Sequence, residues 1–128
     1  MAAGAAVVTT VVVTSTTGPA GTYLVDGTGM SLYLFSPDVL GSPTCMGPCT
    51  QAWPPLTTTG TPTAGAKVTA SKLTTFSRSD GSTQVLYAGH PLYRFAGDTV
   101  AGDTNGQGVD NFGGPWWLVS PAGTAIKK

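Results

Sequence analysis

Two ten-residue stretches of the chain are copies of one pattern: Gly29-Met-Ser-Leu-Tyr-Leu-Phe-Ser-Pro-Asp38 and Gly89-His-Pro-Leu-Tyr-Arg-Phe-Ala-Gly-Asp98. Gly, Leu, Tyr, Phe and Asp are identical in both, and Tyr33 and Tyr93 mark a constant offset of 60 residues. Such agreement is too high for chance and indicates an internal repeat. We predict two related halves within one domain, because either half alone is too small to bury its strands.

Strands are predicted on both sides of these copies. The run Leu32-Tyr33-Leu34-Phe35 has apolar residues at successive positions, which predicts a strand covered on both faces. The chain has 18 Gly, 10 Pro, many Thr and no Glu, a composition that favours strands and turns over long helices. The predicted strands are Ala6–Thr14, Thr22–Val25, Met30–Phe35, the end of Lys67–Phe76, Thr83–Tyr87, His90–Phe95 and Trp116–Ser120.

Pairing follows from the turns between these strands. Asp26-Gly-Thr-Gly29 predicts a hairpin between Thr22–Val25 and Met30–Phe35, and the later turns predict a three-stranded antiparallel meander that ends near Phe95. Ser36–Gly65 and Asp98–Gly114 are predicted to be long loops, because Pro and Gly interrupt any ladder there.

The predicted fold is therefore all-β. Two pseudo-repeated antiparallel hairpin units form a small sandwich or barrel with long Gly/Pro-rich loops. We expect a single domain over residues 1–128, with an N-terminal strand and linker at 1–21, a first repeat half at 22–60 and a second at 61–128.

Composition excludes several classes of function. Six Lys and Arg balance six Asp, so the net charge is zero and no basic footprint for nucleic acid exists. The apolar stretch Val7–Val13 is too short to cross a bilayer as a helix, so no transmembrane segment is expected. No basic residue precedes Lys67, which favours a mature or trimmed product over a chain that carries a secretory signal. The sparse charge and the two cysteines favour an exported protein, extracellular or at the cell surface.

The two cysteines, Cys45 and Cys49, are predicted to form a disulfide. One turn of helix-like backbone brings such Cα atoms to about 6 Å, which is within bridging range. The alternative is a soft-metal site for copper, with Met46 or Met30 as thioether ligands and His90 as a further ligand. His90 aligns with Met30 in the repeat, so pseudo-symmetry would bring the two together.

The repeated motif is Tyr33-x-Phe35-x-x-Asp38 in the first half and Tyr93-x-Phe95-x-x-Asp98 in the second. Alternation along a strand places Tyr and Phe on one face, and the Asp follows at the strand exit. We interpret the pair as core aromatics followed by an Asp that accepts hydrogen bonds from turn amides. A ligand-binding shelf is the alternative.

Three further features of the sequence bear on its chemistry. His90 is the only histidine and lies in a tight turn, with no nucleophile elbow and no Glu elsewhere, so we expect no enzyme. One loop spaces oxygen side chains in a pattern that loosely suits calcium, although an Asx-turn network is the simpler interpretation. Its oxygen-bearing residues are Asp103, Asn105, Gln107 and Asp110. Trp116 and Trp117 are adjacent, so one should lie in the core and the other outside it or under a loop.

The motifs together resemble a bacterial secreted-repeat lipoprotein family marked by a Tyr-x-aromatic-x-x-Asp motif. The resemblance rests on both copies of that motif, on Cys45-x-x-x-Cys49-x-x-x-Trp53-Pro-Pro and on Gly102-Asp-Thr-Asn-Gly-Gln-Gly108, and it covers about Tyr23 to Gly123. It implies export, often with a lipid anchor on an N-terminal cysteine, and it supplies no reaction. The chain has no cysteine near its start, and Val7–Val13 lies outside the resemblance.

The sequence therefore predicts a non-enzymatic exported module with a structural or adhesive role. Its expected partner is a protein, a cell surface or another copy of itself, and no cofactor is expected. The alternatives are a copper-binding or redox accessory protein, and a filament subunit that uses the strand around Val7–Val13 to add to a neighbour's sheet edge.

Overall fold

The computed structural model describes residues 10–38 and 41–127. Within these ranges ten strands, one short helix and a 3₁₀ turn at Ala70–Lys72 are present. The strands are β1 (Val12–Gly18), β2 (Gly21–Asp26), β3 (Tyr33–Phe35), β4 (Thr63–Ala64), β5 (Leu73–Ser77), β6 (Thr83–Tyr87), β7 (His90–Pro91), β8 (Asp110–Asn111), β9 (Gly114–Val119) and β10 (Ala125–Ile126); the helix α1 is Cys49–Ala52. The all-β prediction is confirmed.

The strands form three small open sheets that pack as a sandwich. Their orders are β2-β1-β4, β10-β9-β3 with β8 also on β9, and β5-β6-β7. The predicted meander is the third of these sheets, and its pairs are antiparallel. Its last strand was predicted over His90–Phe95 but ends at Pro91, because Tyr93 forms bridges with Tyr33 and Pro55 instead. No helix within the described residues is long and apolar enough to cross a membrane.

The internal repeat is visible in strand register. In the first half Val13 pairs with Asp26 and Thr17 with Thr22, and in the second Leu73 pairs with Tyr87 and Ser77 with Thr83. Strand β1 is therefore equivalent to β5, and β2 to β6. The next contact also repeats, because Val25 forms a bridge with Ser31 as Leu86 pairs with Pro91.

Strand β3 is covered on both faces, as its unbroken apolar sequence predicted. One face contributes Tyr33 and Phe35 to a buried cluster with Trp53, Tyr93 and Trp116. The other face contributes Leu34 to a second buried cluster. That second cluster comprises Val13, Leu24, Leu32, Leu34, Leu56, Val85, Tyr87, Leu92 and Val119. Both clusters contain residues from both halves, so the halves share their core.

Two predictions about the first half were wrong. The first strand is predicted to end at Thr14, but β1 continues to Gly18 because Ser15-Thr-Thr17 pairs in register with β2. The hairpin predicted between Thr22–Val25 and Met30–Phe35 is reduced to the single bridge from Val25 to Ser31, since β2 pairs with β1 and β3 with β9. The start of the predicted first strand, residues 6–9, lies outside the described residues.

The long loop over residues 36–65 is only partly irregular. It contains α1 and β4, and its Leu56 forms backbone hydrogen bonds with both Leu92 and Val85, at 2.9 and 2.8 Å. Pro55 forms an isolated bridge with Tyr93. The segment after Trp53 thus connects the two halves through strand-like hydrogen bonds. Its proline-rich sequence did not predict this pairing.

Candidate functional site

The two repeats meet at Tyr33 and Tyr93. The Tyr33 amide donates to the Tyr93 carbonyl at 2.8 Å, and the Tyr93 amide donates to the Tyr33 carbonyl at 3.0 Å. This exchange of both bonds defines an antiparallel pair. It relates the two halves by an approximate two-fold axis that passes between the two tyrosines.

The side chains of the motif cross this axis. The Tyr33 hydroxyl donates to Asp98 Oδ2 at 2.7 Å, and the Tyr93 hydroxyl donates to Asp38 Oδ2 at 2.9 Å. Each tyrosine therefore binds the aspartate of the other repeat. We refer to these two hydrogen bonds as the crossed Tyr–Asp pair.

Each aspartate also binds its own loop. Asp38 Oδ1 accepts hydrogen bonds from the Thr44 amide and hydroxyl, at 2.7 and 2.6 Å. Asp98 Oδ1 accepts one from the Asn105 amide at 2.8 Å. The turn-capping role that the sequence predicted is thus present in the structure, and the second oxygen adds the bond across the axis.

Burial is the largest cause of the pKa shifts in the crossed Tyr–Asp pair. It raises the pKa of the Tyr33 and Tyr93 hydroxyls far above the usual range, and the neighbouring Asp98 and Asp38 add to this shift. Burial also raises the pKa of Asp38 and Asp98, although hydrogen bonds from Thr44 and Tyr93 and from Tyr33 and Asn105 oppose it. Both phenols consequently remain neutral donors at physiological pH.

The tryptophans repeat the same symmetry. Trp53 of the first half and Trp116 of the second stack with ring centroids 3.9 Å apart and planes 2° apart. Tyr33 meets Trp53 edge-on at 5.4 Å, and Tyr93 meets Trp116 edge-on at 5.1 Å. The motif residues Phe35 and Phe95 stack on the outer sides of this pair, at 4.1 Å from Trp116 and 4.2 Å from Trp53. Such contacts contribute roughly 0.5–1.5 kcal/mol each beyond burial.

Cys45 and Cys49 are joined by a disulfide, with their Cα atoms 5.4 Å apart. Both residues are buried against the aromatic cluster. The buried Arg78 holds this segment in place, because its guanidinium donates to the Cys45 carbonyl at 2.8 Å, to Met46 Sδ at 3.0 Å and to Gln84 Oε1 at 2.7 Å. The sulfur atoms of both cysteines are bonded to each other and are not thiolate ligands.

The residues of the copper alternative do not meet as expected. Pairing around Tyr33 and Tyr93 is antiparallel, so the residues that precede the two tyrosines run in opposite directions and Met30 and His90 are carried apart. His90 instead lies near Asp38, and burial lowers its pKa while that carboxylate opposes the shift. Within residues 10–38 and 41–127, no three His, Cys or Asp side chains are placed to hold a metal ion.

The oxygen side chains of the calcium alternative are used by the protein itself. Asp103 Oδ2 accepts the amides of Thr99 and Val100, at 2.9 and 3.2 Å. The Asn105 side chain donates to the Gly97 carbonyl, and Gln107 binds the Ile126 carbonyl and the Leu118 amide. Asp110 is exposed in β8. The loop is therefore an Asx-turn network, the simpler of the two interpretations.

Sequence reasoning missed three residues at this junction. Arg78 and Gln84 are buried polar residues with no motif around them, and Gly106 lies where a Cβ would be 2.8 Å from the Trp53 ring and 2.9 Å from the Tyr33 ring. The Gly106 amide also donates to the Tyr33 hydroxyl at 3.1 Å. Only the glycine had a visible signal, because it lies in the Gly-rich run that follows the second motif copy.

Comparison with known proteins agrees with the two-fold organisation. A family model described as a secreted repeat of unknown function matches the chain twice, at residues 14–57 and 74–120. The two matches contain β2 and β6, all but the first residues of β1 and β5, and both tryptophans of the stack. No curated protein and no solved structure matches the chain.

Proposed function

The chain belongs to the family of secreted repeats of unknown function, and we propose that it is an exported, non-enzymatic module with a structural or adhesive role. The crossed Tyr–Asp pair carries this proposal. The repeated polar groups, which would be the first candidates for catalysis or ligand binding, are buried or, for Asp38, half-buried, and they are hydrogen-bonded to each other across the two-fold axis. These groups join the two halves of the module, and other residues on the surface would make the contact with a partner.

The acid–base chemistry of the junction supports the same proposal. A general base near neutral pH needs a group whose pKa lies near that pH and that can reach a substrate. Tyr33 and Tyr93 have strongly raised pKa values and internal acceptors. His90, the only histidine, has a lowered pKa and is half-buried at the start of β7, where it pairs with Tyr87.

We also propose that the module works without a resident metal. Copper would need Cys45 and Cys49 as thiolates, and the bond between their sulfurs would first have to be reduced. Both sulfurs lie in buried residues, which limits access for a reductant.

Retention on intact cells tests the proposed role. The fluorescently labelled chain should bind cells or isolated envelopes of the source organism saturably, and excess unlabelled chain should compete. The Tyr33→Phe variant is the matched control, because it removes only a buried hydroxyl and leaves the surface unchanged. Equal retention of both folded proteins supports a structural or adhesive module, whereas absence of saturable retention, or an activity that Tyr33→Phe abolishes, contradicts it.

A further inference from the structure

Arg78 is a buried cation that has no acidic partner at bonding distance. The residue is only 7% exposed. Its side-chain hydrogen bonds all go to neutral acceptors, which are the Gln84 amide oxygen, the Cys45 carbonyl and the Met46 sulfur. Among the described residues, no carboxylate lies within 4.0 Å of its guanidinium nitrogens. Buried arginines are rarely left without a counter-charge, so this charge calls for an anion that the described residues do not supply.

The guanidinium of Arg78 can still bind a ligand. Its hydrogen bonds to the protein come from the two terminal nitrogens, and Nε–H donates to no residue in the described ranges. The buried nitrogens that lack a partner in these ranges are the indole nitrogens of Trp53 and Trp117, so Arg78 Nε reaches solvent. Met46 is 43% exposed, and its thioether sulfur is a weak acceptor that a ligand oxygen can replace.

Arg78 lines a cavity of about 480 Å³ at the surface. This volume falls within the range of small-molecule sites, about 300–1,000 Å³. The walls come from the loop at residues 46–50, from the connecting segment at 55–57 and from the β5–β6 turn at 78–82. Both repeats therefore contribute to the cavity, and Met46 and Pro55 supply its apolar surface.

Hydroxyl groups make up much of the remaining wall. They belong to Thr50, Thr57, Ser79 and Ser82. Two of them, on Thr50 and Ser82, donate within their own turns. The hydroxyls of Thr57 and Ser79 have no partner in the part of the chain that the structure describes, and both residues are exposed. Because a hydroxyl both donates and accepts, these two groups are suited to a ligand that carries hydroxyls of its own.

One carboxylate, that of Asp80, lies at the same cavity. Its Oδ1 accepts hydrogen bonds from the Ser82 amide and hydroxyl, at 2.9 and 2.6 Å, and these bonds hold it in the turn. Asp38, the other carboxylate that the charge of Arg78 influences, uses both oxygens in hydrogen bonds elsewhere. An anion bound by Arg78 would be repelled by Asp80, so removal of that charge should strengthen binding.

We propose that this cavity binds an anionic saccharide, with the charged group on the Arg78 guanidinium and sugar hydroxyls on Thr57 and Ser79. Guanidinium N–H groups form their strongest hydrogen bonds with carboxylate and phosphate oxygens, so the ligand is a sugar acid or a sugar phosphate. The ring and its hydroxyls face the apolar and hydroxyl-bearing walls. The site names the chemistry of the partner for the adhesive role, and in this respect it rests on the proposed function.

Nuclear magnetic resonance titration of the full chain tests the proposal. The probes are digalacturonate and glucose 6-phosphate, and their neutral counterparts are methyl-esterified digalacturonate and glucose. A charged probe should saturably shift the Arg78 Nε–H signal and the amide signals of Thr57 and Ser79, whereas neither neutral sugar should do so. The charged probe that binds more tightly identifies the kind of charge that the site takes.

Substitutions around the cavity give binding changes of opposite sign. Asp80→Asn removes the repelling charge and should tighten binding about three-fold. Thr57→Val removes a free hydroxyl and should weaken binding about five-fold. Thr75→Val is the matched control, because Thr75 is an exposed strand residue outside this cavity, and it should bind like the wild type. Arg78 itself is left unchanged, because its replacement would release the Cys45 carbonyl.

The proposal is overturned if neither charged probe shifts these signals, or if Asp80→Asn fails to tighten binding. It is also overturned if a neutral sugar, acetate or inorganic phosphate binds as tightly as the charged saccharides. Absence of saccharide binding together with saturable retention on cells would reject this site and leave the proposed function standing. Saccharide binding without retention on cells would support the site and contradict the adhesive role.

Discussion

Each repeated tyrosine joins the halves twice, through its backbone and through its hydroxyl. The backbone pair of Tyr33 and Tyr93 sets the two-fold axis, and the hydroxyls reach the aspartates that follow the opposite motif copy. The Tyr-x-Phe-x-x-Asp spacing serves both purposes, because it places the aspartate one turn beyond the strand. At this scale the motif closes the interface between the repeats.

Tyr33→Phe should destabilise the protein by about 1–3 kcal/mol, because a buried carboxylate loses its donor. Asp98 is only 7% exposed and would keep only the bonds from its own loop. Tyr93→Phe should cost less, because Asp38 is only half-buried and keeps both hydrogen bonds from Thr44. Urea unfolding monitored by tryptophan fluorescence measures both. Tyr23→Phe is the control, because this tyrosine lies in the same buried cluster and its hydroxyl takes no part in the crossed pair. A loss as large as that of Tyr33→Phe would contradict the argument.

Asp98 should make stability depend on pH in the direction opposite to a salt-bridged aspartate. Burial raises its pKa in the folded protein above the unfolded value of about 3.9. Its protonated form is therefore favoured by folding, and this contribution is complete below about pH 3.9 and is lost as the pH rises through the folded pKa.

Asp98→Asn fixes the side chain in a neutral form and should remove that contribution. The free energies of unfolding of wild type and variant are measured by urea titration between pH 3.5 and 7. As the pH rises, the wild type should lose stability relative to Asp98→Asn. The change in favour of the variant should therefore be largest at pH 7. Asp80→Asn is the control, because the pKa of this exposed carboxyl is lowered by Ser82 and its pH effect should have the opposite sign. A difference between wild type and Asp98→Asn that is constant with pH would contradict the assignment.

At the scale of elements, the identity of the strands was easier to predict than their partners. β6 begins and ends at the residues that the alternation predicted, and the turns that flank it gave the meander. The partner of β3 could not be read from local sequence, because β9 follows it by about eighty residues and the competing hairpin with β2 had a good turn. The strand β4 could not be predicted from local sequence, because its two residues form a strand only by pairing with β1. The crossed Tyr–Asp pair was missed for the same reason, because the repeat shows which residues are equivalent and not which ones touch.

The disulfide in and before helix α1 should stabilise the loop before Trp53 locally. Replacing both cysteines by serine should lower the free energy of unfolding by about 2 kcal/mol, the amount expected for a very small closed ring. Chemical denaturation of wild type and variant measures this. The far-ultraviolet circular dichroism should be almost unchanged, because Arg78 still holds the Cys45 carbonyl.

Mass spectrometry provides the check on the bond itself. Reduction and alkylation should modify both Cys45 and Cys49 of the unfolded wild type, whereas alkylation without reduction should modify neither. Reductant should not change the stability of the double serine variant. Free thiols in the protein as isolated, or copper that copurifies with it, would contradict the assignment of a disulfide and would support the metal-binding alternative.

At the scale of the whole molecule, neither half has a core of its own. The stacked tryptophans come one from each repeat, and both buried clusters combine residues from both halves. A half released from its partner would expose Trp53 or Trp116 along with its side of the second cluster. We therefore expect the two units that match the secreted-repeat family to fold only as a pair.

The protein should consequently unfold in a single transition. Far-ultraviolet circular dichroism reports on all strands, and tryptophan fluorescence reports on the Trp53–Trp116 stack at the junction, so their urea midpoints should coincide. Trp53→Ala should lower both midpoints together, by several kcal/mol in free energy of unfolding, because it removes a fully buried ring that both halves contact. Trp117→Ala is the control, since this half-buried ring packs against the second cluster and lies outside the tryptophan stack, so its loss should cost less. Two separate midpoints, or a circular dichroism transition that persists after Trp53→Ala abolishes the fluorescence transition, would show that each repeat folds alone and that the junction is an interface between two independent units.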